Sequence, residues 1–331
     1  MPLPGPKNLI TDVAGLMVGQ ATDETARTGV TVLVCGDGWP AGVDVRGGGP
    51  GVRESETLAA ENLVGRAHAL VLSGGSVFGL AAADGVACAL AARGIGLRLK
   101  ADSLAIPIVP AAVLHDLGNG GDKNWGLSPP YRELGIRALE AASASCMLGS
   151  HGAGRGAVAG RLKGGIGSAS LDLGAGLIVG ALVAVNSVGS AFMPDGQTLW
   201  AWAFELDQEF GGATPPRAGV DLAEPFPDES RLAELGRLQA GSNTTLGVVA
   251  CSADLSTAEC KRVAMMAHDG IARAIRPAHT PFDGDTLFAL ASGAVTLDAR
   301  VRAAGVARIG AAAADCVSRA IGRAVHLARG G

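Results

Sequence analysis

The chain of 331 residues holds one tyrosine, Tyr131, and aromatic side chains make up only 4% of it. A core organised around stacked rings is thereby excluded, and what packs must be aliphatic and small. Charge is scarce as well: Asp, Glu, Lys and Arg together form 18% of the residues, with a formal net charge of −4. No basic block is present to neutralise phosphates, so nucleic acid is not an expected partner. No apolar run reaches the roughly 18 residues of a membrane helix without a Gly, a charge or a polar break. The opening "MPLPGPKNLITDVAGL" has no positive region followed by an apolar core, so a cytoplasmic protein without a membrane partner is expected. The six cysteines (Cys35, Cys88, Cys146, Cys251, Cys260 and Cys316) form no C-x-x-C pair. Most lie among Val, Ala and Leu, as buried free thiols do. The six histidines show no metal-ligand spacing, and neither a metal nor an organic cofactor is implied.

Hydrophobic residues, at 48%, and 50 glycines are what the chain has in plenty. The glycines are interleaved with Val, Ile and Leu, which suggests closely approaching backbones and sharp turns in a large core. "TGVTVLVC" at 28–35 reads as a buried strand, and "GVDVRGGGPG" as a strand running into a glycine turn. "HALVLSGGSVFGLAAADGVACALAARG" reads as a strand, a Gly-Gly turn and a helix ending at Gly94. A second helix is expected over 131–147. Two strands follow, in "RLKGGIGSASLDLG" and in the fully apolar "LIVGALVAVNSVGSAF". Residues 205–242 are charged, Pro-rich and without strand pattern, and read as an exposed linker. After it, "TTLGVVACSADL" is a strand. Ser256 and Glu259 form a capping box opening a helix to about Ile275. "TLFALASGAV" is a further strand, and 301–328 a long Ala-rich helix. Strands are often consecutive, so an α+β fold with sheet on sheet and helices outside fits better than an alternating parallel sheet.

Four places carry residue types suited to chemistry. At "GSNTTLGVVAC", Asn243 and Thr244 stand at the mouth of a strand behind the linker. A threonine hydroxyl is a poor nucleophile without a base. Were the bond before Thr244 broken, its own α-amine, with a pKa of roughly 8, could serve as that base; otherwise Asn-Thr is an ordinary turn. In "HTPFDGDTLFA", Asp283 and Asp285 flank a glycine. They either orient an amine or bind a metal, or are solvated acids of an Asp-Gly turn. Asn186 ends a run too apolar for a surface strand, so it is either an oxyanion donor or a turn residue. Arg161 and Lys163, in "GAGRGAVAGRLKGGIGSAS", either polarise a carbonyl or hold a carboxylate, or belong to a solvated basic turn. The irregular glycine spacing does not support a dinucleotide site. His115 follows the apolar run "AAVL" and is less easily dismissed than His68, His268 and His326, which read as structural.

Six motifs, "GVDVRGGGPGVRE", "LSGGSVFGLAAADGV", "IPIVPAAVLHDL", "GAGRGAVAGRLKGGIGSAS", "GSNTTLGVVA" and "HTPFDGDTLFALA", occur in the order seen in the L-aminopeptidase/D-esterase family. The chain resembles that family from about Gly15 to Ala324. The family includes β-peptidyl aminopeptidases and 6-aminohexanoate oligomer hydrolases. The resemblance implies a four-layer αββα sandwich like that of N-terminal-nucleophile hydrolases, shared with ornithine acetyltransferases. It implies one domain, 1–331, that cuts itself into a 1–243 α chain and a 244–331 β chain and assembles as a homo-oligomer of such pairs. It places the nucleophile at Thr244 behind Asn243, with Asn186 on the oxyanion side and Asp283 and Asp285 beside the nucleophile. "NTT" is most similar to the nylon-oligomer branch. Two pocket positions depart: His115 stands where relatives carry Tyr, and Arg161 where many carry Lys, with Lys163 two residues on. The implied activity is hydrolysis of small amino-acyl amides, peptides or aliphatic amide oligomers through an acyl-Thr244 ester. The alternative is an acyltransferase of the ornithine acetyltransferase kind.

Overall fold

The computed structural model describes residues 3–217, 219–220, 228–231 and 243–330. Eleven strands and four α-helices follow in order among them: β1 (Met17–Asp23), β2 (Thr28–Val45), β3 (Val52–Arg53), β4 (Arg66–Ser73), α1 (Ala81–Ala92), β5 (Ala111–Val113), α2 (Tyr131–Glu140), β6 (Val158–Ala159), β7 (Leu162–Lys163), β8 (Gly165–Asp172), β9 (Ile178–Asn186), β10 (Thr244–Ala253), α3 (Thr257–Ala274), β11 (Thr286–Val295) and α4 (Arg302–Arg329).

Strand β2 is the hinge of the architecture. Its first part, Thr28–Val34, pairs with β1 on one side and β4 on the other. Its last part, Ala41–Val45, pairs with β11. Between them the register slips, and Gly36 and Gly38 take positive φ, which lets one strand leave one sheet and enter another. The hydrogen-bonded order is β3-β5-β4-β2-β11-β10-β9-β8, with β1 beside β2. The two predicted segments, 28–35 and the strand of "GVDVRGGGPG", are thus two halves of one bent strand.

The core separates into three apolar layers that follow strand alternation. On β10, Leu246, Val248 and Ala250 face the space between the sheets, with Leu33, Leu70, Leu182 and Phe288. Its Val249, Cys251 and Ala253 face the opposite way, toward Ile271 of α3 and Val317 and Ile321 of α4. On the other sheet, Val30, Val32 and Val71 pack under Val86 of α1 and Leu134 of α2. Helices, sheet, sheet and helices therefore stack as four layers. Burial on both faces explains why β9 and β10 read as continuous apolar runs; each fully buried Val or Leu is worth about 1.5–3 kcal/mol. The glycine content has a packing cause: a Cβ on Gly167 of β8 would lie 1.9 Å from the Ala320 carbonyl of α4.

The capping box at Ser256 is present, with Glu259 N–H on Ser256 Oγ and Ser256 N–H on Glu259 Oε2 at 2.8 Å. Helix α2 stops at Glu140, short of the expected 147, because Ser143 exchanges two backbone hydrogen bonds with Val18 and so extends the edge of β1. The proposed linker is not exposed throughout. Phe210 is in the core, and the carboxylate of Glu209 is tucked against Arg319 at 2.5 Å. Residues 218, 221–227 and 232–242 of that stretch lie outside the described residues. All six cysteines are free, with Cys35, Cys251, Cys260 and Cys316 buried. Among the described residues no helix is long and apolar enough to cross a membrane.

Candidate active site

Thr244 opens β10 at the middle of its sheet and is buried. β9 lies antiparallel on one side, placing Asn186 opposite Thr244. β11 lies parallel on the other, and the loop that leads into it, His279–Asp285, curls under the junction. The Thr244 hydroxyl donates to the Asn243 carbonyl oxygen. Gly284 N–H donates to the same oxygen at 2.8 Å. The carbonyl carbon before Thr244 is thus polarised by two donors, one of them the hydroxyl that would attack it. Gly284 must be glycine for this approach, since a Cβ there would sit 2.7 Å from Thr244 Oγ1 and 2.8 Å from the Gly49 carbonyl.

Both acids are buried and fully engaged, not solvated as an Asp-Gly turn would leave them. Asp285 Oδ1 accepts from Thr245 N–H at 2.7 Å, while Oδ2 takes the backbone N–H of His279 at 3.1 Å and faces its Nδ1 at 2.8 Å. Asp283 accepts from Val188 N–H, Thr280 N–H and the Thr280 hydroxyl at 3.1, 3.0 and 2.6 Å. Burial, reinforced by the charge of Asp285, pushes the Asp283 carboxyl up to about 6, against the pull of those donors. The glycine turn after β2 braces the loop from outside: Arg46 N–H reaches the Asp285 carbonyl at 2.9 Å and Gly49 N–H the Asp283 carbonyl at 2.8 Å. The His279 ring meets His268 edge to face at 5.0 Å. His268 lies wholly inside, and burial pushes its imidazole down to about 4.

On the opposite side, Asn186 Oδ1 accepts from Val158 N–H at 3.0 Å and Nδ2 donates to the His115 carbonyl at 3.1 Å. An amide NH2 carries two hydrogens, so one is left for an oxyanion. His115 thus meets the site through its carbonyl. The neighbouring Asp116 is buried, accepting from Thr28 Oγ1 at 2.6 Å and Gly75 N–H at 2.8 Å, which anchors that loop. Arg161 has an exposed side chain and donates its backbone N–H to Glu229 at 3.1 Å. Lys163 lines a cleft of about 330 Å³ with Arg27, Asn119, Arg155 and Val158. The structure therefore gathers Asn243, Thr244, Asn186, Asp283 and Asp285 around one bond, and sets Arg161 and Lys163 at its margin. Among the described residues no group of three His, Cys, Asp or Glu side chains is placed to hold a metal ion.

Four participants escaped the sequence reading. Gly284 was visible only as the spacer between two acids. His279 and Thr280 head the acidic motif, yet nothing in their spacing says that they grip its carboxylates. Arg231, inside the polar stretch, donates from Nη1 to Asn243 Oδ1 and had no signal at all.

The sequence model of peptidase family S58 matches residues 8–330. The chain belongs to peptidase family S58. It is 45% identical over 331 residues to an uncharacterized aminopeptidase of Mycobacterium tuberculosis, covering 95% of this chain and 92% of that one. It is 30% identical over 300 residues to the 6-aminohexanoate-oligomer endohydrolase of a Kocuria species, covering 88% and 77%. Two solved structures share its fold. The L-aminopeptidase D-Ala-esterase/amidase of Ochrobactrum anthropi, described as a variant of the Ntn hydrolase fold, matches with a TM-score of 0.68 at 20% identity, over 98% of this chain and 87% of that one. A Burkholderia β-aminopeptidase matches with a TM-score of 0.67 at 24% identity, over 98% and 88%. An S58 peptidase is a hydrolase of amide bonds.

Proposed function

We propose that this S58 peptidase is a self-processing amidohydrolase that cuts itself between Asn243 and Thr244 and then works through Thr244. The observation that carries this reading is the pair of donors, the Thr244 hydroxyl and Gly284 N–H, on the Asn243 carbonyl oxygen. In the uncut chain Oγ1 attacks that carbonyl carbon, the C–N bond breaks, and the hydroxyl proton passes to the departing nitrogen. Water then hydrolyses the resulting ester, leaving Asn243 as a carboxylate and Thr244 with a free amine. In the mature enzyme the amine takes the hydroxyl proton, Oγ1 attacks a substrate amide, and an acyl-Thr244 ester forms before water releases it. Gly284 N–H and Asn186 Nδ2 are the donors for the tetrahedral oxyanion. Asp285, already on Thr245 N–H, and Asp283 orient the new amine.

The substrates proposed are small amino-acyl amides or peptides and aliphatic amide oligomers of the 6-aminohexanoate kind, in keeping with the activities named for the relatives. The same reading has the protein in the cytoplasm as a homo-oligomer of processed pairs. Intact mass followed by a panel of amino-acid p-nitroanilides, β-dipeptides and 6-aminohexanoate oligomers tests it. Two chains of 243 and 88 residues, the smaller beginning Thr-Thr-Leu-Gly, together with turnover of one panel class, are expected. An intact chain with full amidase activity would sink both the cut and the amine as base.

A further inference from the structure

We infer that Arg231 is a positioning residue for self-cleavage, holding the residue whose carbonyl is attacked; this rests on the self-processing reading above. Its guanidinium spans three acceptors. Nε donates to the Gly160 carbonyl at 2.8 Å, Nη2 to the Val158 carbonyl at 2.9 Å, and Nη1 to Asn243 Oδ1. Its own N–H donates to the Val188 carbonyl at 2.9 Å. Gly160 and Val158 belong to the framework that also sets Asn186, because Val158 N–H holds Asn186 Oδ1 at 3.0 Å. The rigid, planar fork of an arginine suits this task, since two of its arms fix the plane in which the third must lie. Asn243 is thus gripped at both ends: its side chain by Arg231, its carbonyl by Gly284 N–H. A peptide bond attacked by its own neighbour gains rate from being held with its carbon facing the hydroxyl, and small misplacements are costly. The grip is on Asn243, which has no part in later turnovers. Arg231 therefore bears first of all on the cleavage step, in which the Asn243 carbonyl is attacked.

Cell-free synthesis of the full chain, sampled over time on denaturing gels, measures the cutting rate. Arg231→Ala is expected to slow cutting by roughly tenfold or more, and Arg231→Lys to recover part of it. Asn243→Ala removes the same contact from the other side and should slow cutting similarly, with the double variant no slower than the slower single variant. Once fully cut, Arg231→Ala should lose far less of its kcat than the variant loses in cutting rate. Cutting at the parent rate by Arg231→Ala, or additive losses in the double variant, would overturn the assignment. So would a normal cutting rate followed by a depressed kcat. A parent chain that never cuts removes the self-processing reading itself, and this inference with it. Thermal melting of the uncut variants guards against a folding defect, and Asn243→Ala tests the contact with Arg231 intact.

Discussion

The Asn243–Thr244 bond lies between two walls of different construction. On the β11 side, the loop from His279 to Asp285 supplies two buried carboxylates, each held by backbone and side-chain donors and braced by the Gly47–Gly49 turn. On the β9 side the partners are of another kind: Asn186 is a neutral amide on backbone partners, and Arg231, from the polar stretch before Asn243, brings a positive charge to the Asn243 side chain. The first wall leads into β11 and would outlast any cleavage before Thr244. The second is in part a contact to Asn243, the residue that the proposed cleavage would set free. On the proposed reading this is a division of labour, in which the acidic wall serves every turnover and the arginine's grip on Asn243 serves the first reaction.

The largest expected effect strikes both walls at once. Thr244→Ala should abolish cutting and hydrolysis together, because one hydroxyl serves both; gel and p-nitroanilide assays would show it. Loss of only one of them would mean that two nucleophiles exist. The next concerns the acidic wall alone. Asp283→Asn or Asp285→Asn, assayed on fully cut enzyme, should lower kcat on the order of a hundredfold while KM changes little. Near-normal kinetics with reduced thermal stability would reduce these acids to braces.

A third prediction uses the raised carboxyl of Asp283. Its ordinary value is 3.8 and its folded value about 6, so between these the native chain holds a proton that the unfolded chain releases. Its contribution to stability is fully present below about pH 4 and is lost as pH rises through about 6. His268, lowered from 6.5 to about 4, acts in the opposite sense, with stability falling as pH drops through that window. Urea midpoints across pH 4–7 for the parent and Asp283→Asn isolate the first: the advantage of the parent over the variant should shrink as pH rises. A constant difference would contradict it. The smallest expected effect separates the two adjacent threonines. Thr245 Oγ1 is buried and makes no hydrogen bond, so Thr245→Val should leave cutting intact and change stability by no more than about 1 kcal/mol.

The layers were legible in the sequence because period-two alternation and continuous apolar runs reflect burial on one face or two, and β9, β10 and the Ser256 cap follow those rules. The continuity of β2 was not, since Gly36 and Gly38 look like the end of a strand when they are only its bend. The length of α2 was misread because the Ala- and Ser-rich residues after Glu140 keep a helical composition, while a backbone pairing with β1 takes them elsewhere. At the site, Thr244, the two acids and Asn186 stood out by their motifs, and the fold brings them to one place, while their roles belong to the proposal. Arg231 was not legible, because a long-range contact from a polar stretch leaves no periodicity, and neither was the grip of Thr280 on Asp283, which depends on how the loop turns.

The position of β10, paired on one side with β9 and on the other with β11, has a consequence for the order of events. A cut before Thr244 would place a chain terminus in the centre of a sheet, where termini are rarely found. A polypeptide made with Thr244 at its start would have to carry an ammonium ion, with its hydration, into that interior, at a cost of several kcal/mol. The uncut chain carries a neutral peptide bond through folding instead. The ion would then be born inside, and the charge need never cross from water into the protein.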